Sequence, residues 1–145
     1  MKKDIWFDMD GTIADLYGVS EWLAKLIAED ATPYAEARPL VNMNSLARVL
    51  NRLQRNGYTI NIISWASKNS TKAYERKVEK AKREWLKKHL ASVRWNKIEV
   101  VTYGTPKRNE NRFGILFDDE QANREQWGEG AFDVQDIIEI LKGLK

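Results

Sequence analysis

The sequence predicts an α/β protein in which a parallel sheet is flanked by helices on both faces. Short apolar runs typical of buried strands alternate along the chain with longer segments of helical periodicity. That alternation implies right-handed crossover connections between parallel strands. The chain has 145 residues and no internal repeat or linker, so we expect residues 1–145 to form a single domain.

The first half of the chain predicts two strands and two helices. The first strand is a short apolar run that ends at Asp8, and Asp10-Gly11-Thr12 then signals a turn. Two prolines between residues 32 and 40 predict a loop, because proline interrupts a regular helix. The expected elements are strands at 5–7 and 58–63, a helix at 20–29 with Ser20 as its N-cap, and a helix at 44–56 closed by Gly57.

The second half predicts a long charged helix, further strands and a last helix. In residues 70–91, apolar positions at helical spacing are separated by basic residues that we interpret as a solvated helix face. The basic residues are Lys77, Lys80, Lys82, Arg83, Lys87 and Lys88, balanced by Glu75, Glu79 and Glu84. The other expected elements are strands at 98–103 and 113–117, a polar stretch to Gly130, a candidate short strand at 131–132 and a helix at 134–144.

The composition excludes several kinds of chemistry. The chain has no cysteine, which excludes disulfides, thiolate catalysis and cysteine-bound zinc, and its one histidine argues against a histidine-rich metal site. A bound metal must therefore be held mainly by oxygen ligands, which favours Mg²⁺, Mn²⁺ or Ca²⁺. The net charge of +3 suits an anionic substrate or a nucleic acid. The apolar run before Asp8 is far too short for a signal peptide or a membrane span, and no later run is long enough, so we expect a cytoplasmic protein.

Polar side chains capable of chemistry follow the ends of four predicted strands. In parallel α/β sheets, ligands bind beyond the carboxyl ends of the strands. If the four strands are neighbours, their loops meet in one crevice, where four carboxylates repel one another and a divalent cation relieves the repulsion. An ammonium group beside such a cation suits a phosphate, which can contact both. The side chains are Asp8, Asp10, Ser64, Lys107, Asp118 and Asp119.

Four segments resemble, in order, the motifs of the haloacid dehalogenase (HAD) superfamily. Phe7-Asp8-Met9-Asp10-Gly11-Thr12 resembles the first motif, and Ile62-Ile63-Ser64 resembles the second, a hydroxyl residue at the end of a strand. Lys107 is similar to the third-motif lysine, and Leu116-Phe117-Asp118-Asp119 is similar to the acidic pair of the fourth. The resemblance covers most of the chain. It implies a Rossmann-like fold of the HAD type with a small cap segment at about 15–41.

The resemblance implies a Mg²⁺-dependent phosphatase that works through an aspartyl-phosphate. Asp8 would attack phosphorus, and Asp10 would protonate the leaving oxygen and then activate water. Because dehalogenases of this superfamily lack the second aspartate, Asp10 favours a phosphatase. Ser64 would bind a phosphoryl oxygen, and Lys107 would offset the charge of Asp8 and the phosphate. Mg²⁺ would be held by Asp8, the backbone carbonyl of Asp10, Asp118 and Asp119, the last directly or through water.

Substrate contacts are predicted from the residues around the expected site. Gly11 and Thr12 belong to the first motif and are assigned to the substrate side, with Gly11 allowing a sharp turn. Trp65 is a candidate to stack on a nucleobase, and Arg38 is a candidate to bind an anionic group. The layout resembles the small 5′-deoxyribonucleotidase-like branch of the superfamily and related phage and bacterial proteins. A nucleoside monophosphate is therefore the expected small phosphorylated substrate.

Three alternatives stay open beside this hypothesis. The first is a polynucleotide 3′-phosphatase, which shares the chemistry but needs a basic groove for a nucleic-acid end. The second is a protein of the same fold that binds a phosphorylated ligand without turning it over. The third is a phosphotransferase, for which the sequence predicts the same residues. Lys68 and Arg108 are rivals to Lys107 as the phosphate-binding cation.

Overall fold

The structure, a computed structural model, describes residues 3–145. None of the helices in this range is both long and apolar enough to cross a membrane. The strands are β1 (Asp4–Phe7), β2 (Ala14–Asp15), β3 (Arg38–Pro39), β4 (Thr59–Trp65), β5 (Lys97–Val101), β6 (Ile115–Phe117) and β7 (Ala131–Phe132). The α-helices are α1 (Trp22–Ile27), α2 (Thr32–Glu36), α3 (Met43–Arg55), α4 (Lys72–His89), α5 (Gln121–Trp127) and α6 (Ile137–Gly143), with 3₁₀ turns at Leu16–Gly18 and Val134–Asp136.

Five of the strands form one sheet in the order β5–β4–β1–β6–β7. The central strand β1 pairs with β4 on one side and β6 on the other, so that Ile5 lies opposite both Ile60 and Ile115. Every pairing in this sheet is parallel, which confirms the predicted fold class. Because parallel strands share one carboxyl edge, the segments that follow β1, β4, β5 and β6 meet there.

Helices bury the sheet on both faces. Successive residues of a strand point to opposite faces, so Ile5 and Phe7 join the main core, while Trp6 joins a smaller core with Trp127 of α5. Past the end of β1, the backbone N–H of Asp8 still donates to the carbonyl of Phe117 at 2.9 Å. The buried core therefore fixes where the chain emerges at Asp8. The helix residues of the main core are Leu46, Val49, Leu50, Leu53, Trp85, Leu86, Ile137 and Leu141.

The segment between β1 and α3 is more regular than predicted. The prediction of a loop at 32–40 is wrong, because α2 places Pro33 in its first turn, where the missing N–H costs no helical hydrogen bond. The next residues form β3, which pairs antiparallel with β2 and sets Arg38 opposite Asp15. This two-stranded ribbon closes the base of residues 15–41, which we call the cap segment.

The cap segment packs against α4. The hydroxyl of Tyr74 on α4 donates to the carbonyl of Asp30 at 2.8 Å. The carboxylate of Glu29 accepts hydrogen bonds from the backbone N–H and the hydroxyl of Thr71, the residue that caps α4. Both contacts join residues 29–30 of the cap segment to the N-terminal end of α4, and apolar packing joins the rest of the two elements. The buried side chains between them are Leu16, Tyr34, Tyr74, Val78 and Ala81.

Other element boundaries also differ from the predictions. Ser20 does not cap α1, since the residue before that helix is Glu21, in a left-handed conformation with φ 58°. The polar stretch before Gly130 contains α5, which buries only two of its seven residues and so lacks an apolar stripe in the sequence. The predicted last helix is divided into a 3₁₀ turn and α6. Gly57 does follow α3, with φ +95°, and the short strand at 131–132 is confirmed.

Candidate active site

The carboxyl edge of the sheet forms the floor of a cavity of about 370 Å³. Asp8 and Asp10 reach this floor from the turn after β1, and Lys107 reaches it from the loop after β5. Trp65, the last residue of β4, lines one side of the cavity. Predicted site residues that are far apart in the sequence therefore meet at one place, as neighbouring parallel strands require.

A buried ion-pair cluster surrounds Asp8. Lys107 Nζ donates to Asp8 Oδ1 at 2.9 Å and to Asp118 Oδ2 at 2.6 Å, and both Lys107 and Asp118 are almost fully buried. Burial alone would lower the pKa of Lys107, but the two carboxylates outweigh burial and raise it. Lys107 therefore stays an ammonium group at neutral pH, bridging the residues that follow β1 and β6.

Arg112 braces the loop that carries Lys107. Its guanidinium group donates to the carbonyls of Lys107 at 2.5 Å and Pro106 at 2.8 Å, and to Glu99 Oε1 at 2.9 Å. Arg112 and Lys107 are both buried, so the carbonyl of Lys107 has no ready replacement in water, whereas the Glu99 carboxylate is partly exposed. No motif in the sequence points to this arginine, because two of its three partners are backbone carbonyls.

Three carboxylates form a cluster suited to a metal ion. Oxygens of Asp8, Asp118 and Asp119 all lie within 4.8 Å of one another. Burial and the neighbouring Asp8 raise the pKa of Asp118 to about 6 and that of Asp119 to about 8. Carboxylates held this close favour a positive charge between them, and an all-oxygen donor set fits a hard divalent cation such as Mg²⁺.

Gly11 and Thr12 pack against the carboxylates of this acidic cluster. The hydroxyl of Thr12 lies 2.9 Å from Asp8 Oδ2 and 3.2 Å from Asp119 Oδ1, and Thr12 is fully buried. Gly11 adopts φ +81° and lies against the Asp119 carboxylate. Neither residue is among those that line the cavity, and both lie against the acidic cluster, so their assignment to the substrate side stays a prediction.

Lys82 is a site residue that the sequence reasoning missed. Its ammonium group donates to Asp10 Oδ2 at 2.9 Å, to Ser64 Oγ at 2.5 Å and to the Trp65 carbonyl at 2.8 Å. The prediction of a solvated helix face is wrong at this position, where Lys82 is 1% exposed. A signal was available, because Lys82 follows Val78 by one helical turn and so shares its buried stripe.

Burial and Lys82 act on Asp10 in opposite directions. Burial is the larger effect, and with Asp8 nearby it raises the pKa of Asp10, while the ammonium group of Lys82 lowers it. The net pKa lies above the ordinary aspartate value. Asp10 is therefore easier to protonate than a surface aspartate, as an acid/base group requires.

Aromatic and aliphatic side chains form the wall of the cavity. The Trp65 indole donates to the carbonyl of Thr105 at 2.8 Å, and its ring lies 4.9 Å from that of Tyr103 and 5.2 Å from Lys107 Nζ. These contacts hold the indole plane at the cavity side. The opposite wall comes from the cap segment and comprises Leu16, Tyr17, Trp22, Leu23, Leu26, Ile27 and Tyr34.

The other predicted cations have different surroundings. Lys68 is exposed and lines the cavity, so it is within reach of a bound molecule. Arg108 is exposed and donates to the carbonyl of Trp127 at 2.6 Å, outside the cavity. Arg38 is exposed on β3 and is not brought to the cavity, because the ribbon register sets it opposite Asp15 at the base of the cap segment.

Asn123 is another site residue to which no motif in the sequence points. Its amide donates to Asp118 Oδ2 at 3.2 Å, and it lines the cavity from α5. Asp118 Oδ1 accepts the backbone N–H of Glu120 at 2.9 Å. The carboxylate of Asp118 is thus fixed from both sides. Because α5 was itself not predicted, nothing in the sequence indicated that Asn123 would turn toward the site.

Comparison with known proteins supports the fold. No family model and no curated protein matches the chain by sequence. A solved structure of D,D-heptose 1,7-bisphosphate phosphatase from Burkholderia thailandensis is similar, with 16% identity, a TM-score of 0.53 and 97% of each chain covered. A likeness at this level of identity shows the fold alone. It confirms the predicted Rossmann-like architecture.

Proposed function

We propose that this protein is a Mg²⁺-dependent phosphatase of the HAD superfamily that hydrolyses phosphate monoesters through an aspartyl-phosphate on Asp8. The observation that carries the proposal is the meeting of Asp8, Asp10 and Lys107 at the floor of one cavity, beside the acidic cluster. The similarity in fold to a phosphatase agrees with this chemistry.

Asp8 is the proposed nucleophile. A carboxylate oxygen of Asp8 attacks phosphorus, the bond from phosphorus to the ester oxygen breaks, and Asp10 gives its proton to the departing oxygen. In the second step Asp10 takes a proton from water, whose oxygen bonds to phosphorus while the Asp8–phosphorus bond breaks. Inorganic phosphate leaves, and both aspartates return to their starting states.

The acidic cluster would hold the metal. Asp8, Asp118 and Asp119 would supply carboxylate oxygens to Mg²⁺, and the backbone carbonyl of Asp10 would complete the set. The ion would offset the negative charge of the phosphoryl group. Lys107 adds a fixed positive charge beside Asp8, which supports the approach of an anionic substrate and the charge of the transition state.

The cavity wall supports a nucleoside monophosphate as substrate. A nucleobase has an apolar face that aromatic side chains can cover, and the wall offers Trp65, Tyr103 and Trp22. The structural neighbour is named for a sugar bisphosphate, whose hydroxyls and second phosphate need many polar partners. Apart from the hydroxyl and N–H groups of its tyrosines and tryptophans, the polar lining above the floor comes from a short run at 67–69 and from residues of α5 and its N-cap.

Phosphate release from a panel of esters tests the proposal. The panel contains nucleoside 5′- and 3′-monophosphates, sugar phosphates and a 3′-phosphorylated oligonucleotide, each with Mg²⁺. We expect the nucleoside monophosphates to be hydrolysed best, and activity to disappear in Asp8→Asn and with EDTA. Preference for the oligonucleotide would replace the substrate assignment with a nucleic-acid end. Tight phosphate binding without release from any ester would overturn the catalytic proposal.

A further inference from the structure

Lys82 and Ser64 lie beneath the cavity floor rather than in its wall. Both side chains are buried, and neither lines the cavity, whereas Asp10 does. The resemblance implied that Ser64 binds a phosphoryl oxygen, but its hydroxyl meets Lys82 Nζ instead. Any effect of these two residues on a bound substrate must therefore pass through a group that reaches the cavity.

Asp10 is the group that connects them to the cavity. Lys82 donates to Asp10 Oδ2, Ser64 Oγ and the Trp65 carbonyl, which uses all three hydrogens of an ammonium group. Within residues 3–145, no other hydrogen bond holds the Asp10 carboxylate. Lys82 thus fixes Oδ2 and leaves Oδ1 for proton transfer.

The surroundings of Lys82 hold its ammonium group in a fixed position. Ser64 and Trp65 are the last two residues of β4, so two of the three acceptors belong to a rigid strand of the sheet. The ring of Tyr34, on α2 of the cap segment, lies 5.0 Å from Lys82 Nζ and covers it from the other side. Water has no access to this ammonium group to compete for its bonds.

We infer that Lys82 is a positioning residue for Asp10, and that Ser64 acts by anchoring Lys82 rather than by binding phosphate. The inference rests on the proposed function, because it concerns the orientation of the proposed acid. Asp10 must meet the departing oxygen within hydrogen-bond reach. A carboxylate fixed by one oxygen satisfies that geometry with the other, whereas a carboxylate without Lys82 can rotate away from it.

The test compares leaving groups. An alkyl phosphate such as glycerol 2-phosphate needs its leaving oxygen protonated, whereas p-nitrophenolate departs as a stable anion. We expect Lys82→Met to lower kcat/KM for glycerol 2-phosphate about 100-fold, the order of a general-acid contribution. The loss for p-nitrophenyl phosphate should be at least tenfold smaller. A general loss of structure would lower both to the same extent.

Controls separate positioning from folding and from metal binding. Lys80→Met removes an exposed lysine from the same helix and should behave as wild type. The Mg²⁺ concentration for half-maximal activity should not change in Lys82→Met, because Lys82 contacts none of the carboxylates of the acidic cluster. If Lys82→Met does not fold, Lys82→Gln, which keeps two N–H donors, should show the same dependence on leaving group with a smaller loss.

The role of Ser64 is tested by combining substitutions. If Ser64 acts through Lys82, Ser64→Ala should lower kcat/KM in the wild-type background but not in Lys82→Met. Inhibition by inorganic phosphate should be unchanged in Ser64→Ala. Equal losses for both leaving groups, or weaker phosphate inhibition in Ser64→Ala, would overturn the inference while wild-type activity stands. A wild type that releases no phosphate would overturn the proposed function, and the inference with it.

Discussion

Asp119 lies so close to Gly11 that a Cβ at position 11 would be 2.3 Å from Asp119 Oδ2. Gly11 also has φ +81°, which an L-residue with a side chain adopts only with strain. The first-motif glycine therefore does two things: it allows the turn after β1, and it leaves room for the carboxylate of Asp119 in the acidic cluster.

Gly11→Ala should weaken both the fold and the metal site. We expect the backbone strain to lower the free energy of unfolding by about 1–2 kcal/mol. The displaced Asp119 carboxylate should raise the Mg²⁺ concentration for half-maximal activity at least tenfold. Urea unfolding and a Mg²⁺ titration measure the two effects.

Gly57→Ala is the matched control. Gly57 has φ +95°, but nothing lies within 4 Å of an added Cβ. This variant should lose a similar amount of stability and keep the wild-type Mg²⁺ dependence. If both variants respond to Mg²⁺ as the wild type does, Asp119 is not a metal ligand.

The acidic cluster predicts that stabilisation by Mg²⁺ grows with pH. In the metal-free protein the pKa of Asp118 is about 6 and that of Asp119 about 8, both above their unfolded values. When folding raises the pKa of an acid, its contribution to stability is greatest below about pH 4, where the group is protonated in both the folded and the unfolded protein. That contribution falls as the pH rises through the pKa of the folded state. Mg²⁺ binds the ionised carboxylates. It should therefore relieve their repulsion in the folded protein, which destabilises the fold only at higher pH.

Thermal unfolding with EDTA or Mg²⁺ at pH 5, 6.5 and 8 measures this linkage. We expect the increase in Tm on adding Mg²⁺ to be small at pH 5 and largest at pH 8. Asp119→Asn should raise the Tm of the metal-free protein at pH 8 and reduce the effect of Mg²⁺. An equal Mg²⁺ effect at pH 5 and pH 8 would contradict the proposed metal site.

Trp22 should contribute to nucleotide binding without contributing to chemistry. It lines the cavity from α1, and its ring packs against Tyr17 with centroids 4.9 Å apart. Stacking on a base contributes about 1–3 kcal/mol, so Trp22→Ala should raise KM for a nucleoside monophosphate about tenfold. The KM for glycerol 2-phosphate, which has no ring to stack, should stay the same.

The control for Trp22 is Leu40→Ala. Leu40 is an exposed apolar residue of the cap segment that does not line the cavity. Its substitution should leave both KM values unchanged. If Trp22→Ala raises KM equally for both substrates, the residue supports the shape of the cavity rather than a nucleobase, and the substrate assignment loses its main support.

The sequence predicted those parts of the site that are fixed by local pattern. Asp8 and Asp118 each follow a short apolar strand, and the rule that parallel strands share a carboxyl edge brings them together without further information. That expectation is correct, because β1 lies between β4 and β6 in the sheet. Lys107 could be placed on the same grounds, because it lies in a loop after a strand.

Residues that depend on how helices rotate and dock were not predicted. Lys82 reaches Asp10 only because α4 presents it toward the end of β4, in a helix whose charge pattern indicated solvent. Asn123 depends on α5, a helix with almost no apolar stripe. Arg38 was expected near the substrate because it belongs to the cap segment, but the pairing of β2 with β3 set it opposite Asp15 instead.

Arg112 tests how far the position of Lys107 depends on its supporting residues. Arg112→Met would leave the carbonyls of Pro106 and Lys107 and the carboxylate of Glu99 without their guanidinium partner. We expect the free energy of unfolding to fall by about 1–3 kcal/mol, since the buried carbonyl of Lys107 and two partly buried acceptors lose their hydrogen bonds. We also expect kcat to fall about tenfold, because the released loop no longer holds the Lys107 ammonium group 2.9 Å from Asp8.

Arg108→Met is the matched control for Arg112, since it removes a neighbouring but exposed arginine whose side chain bonds one carbonyl. It should cost less than about 1 kcal/mol and leave kcat unchanged. If Arg112→Met loses stability but keeps the wild-type kcat, Asp8 and Asp118 suffice to hold Lys107. In that case the buried ion pairs, and not the braced loop, set the position of the ammonium group beside the nucleophile.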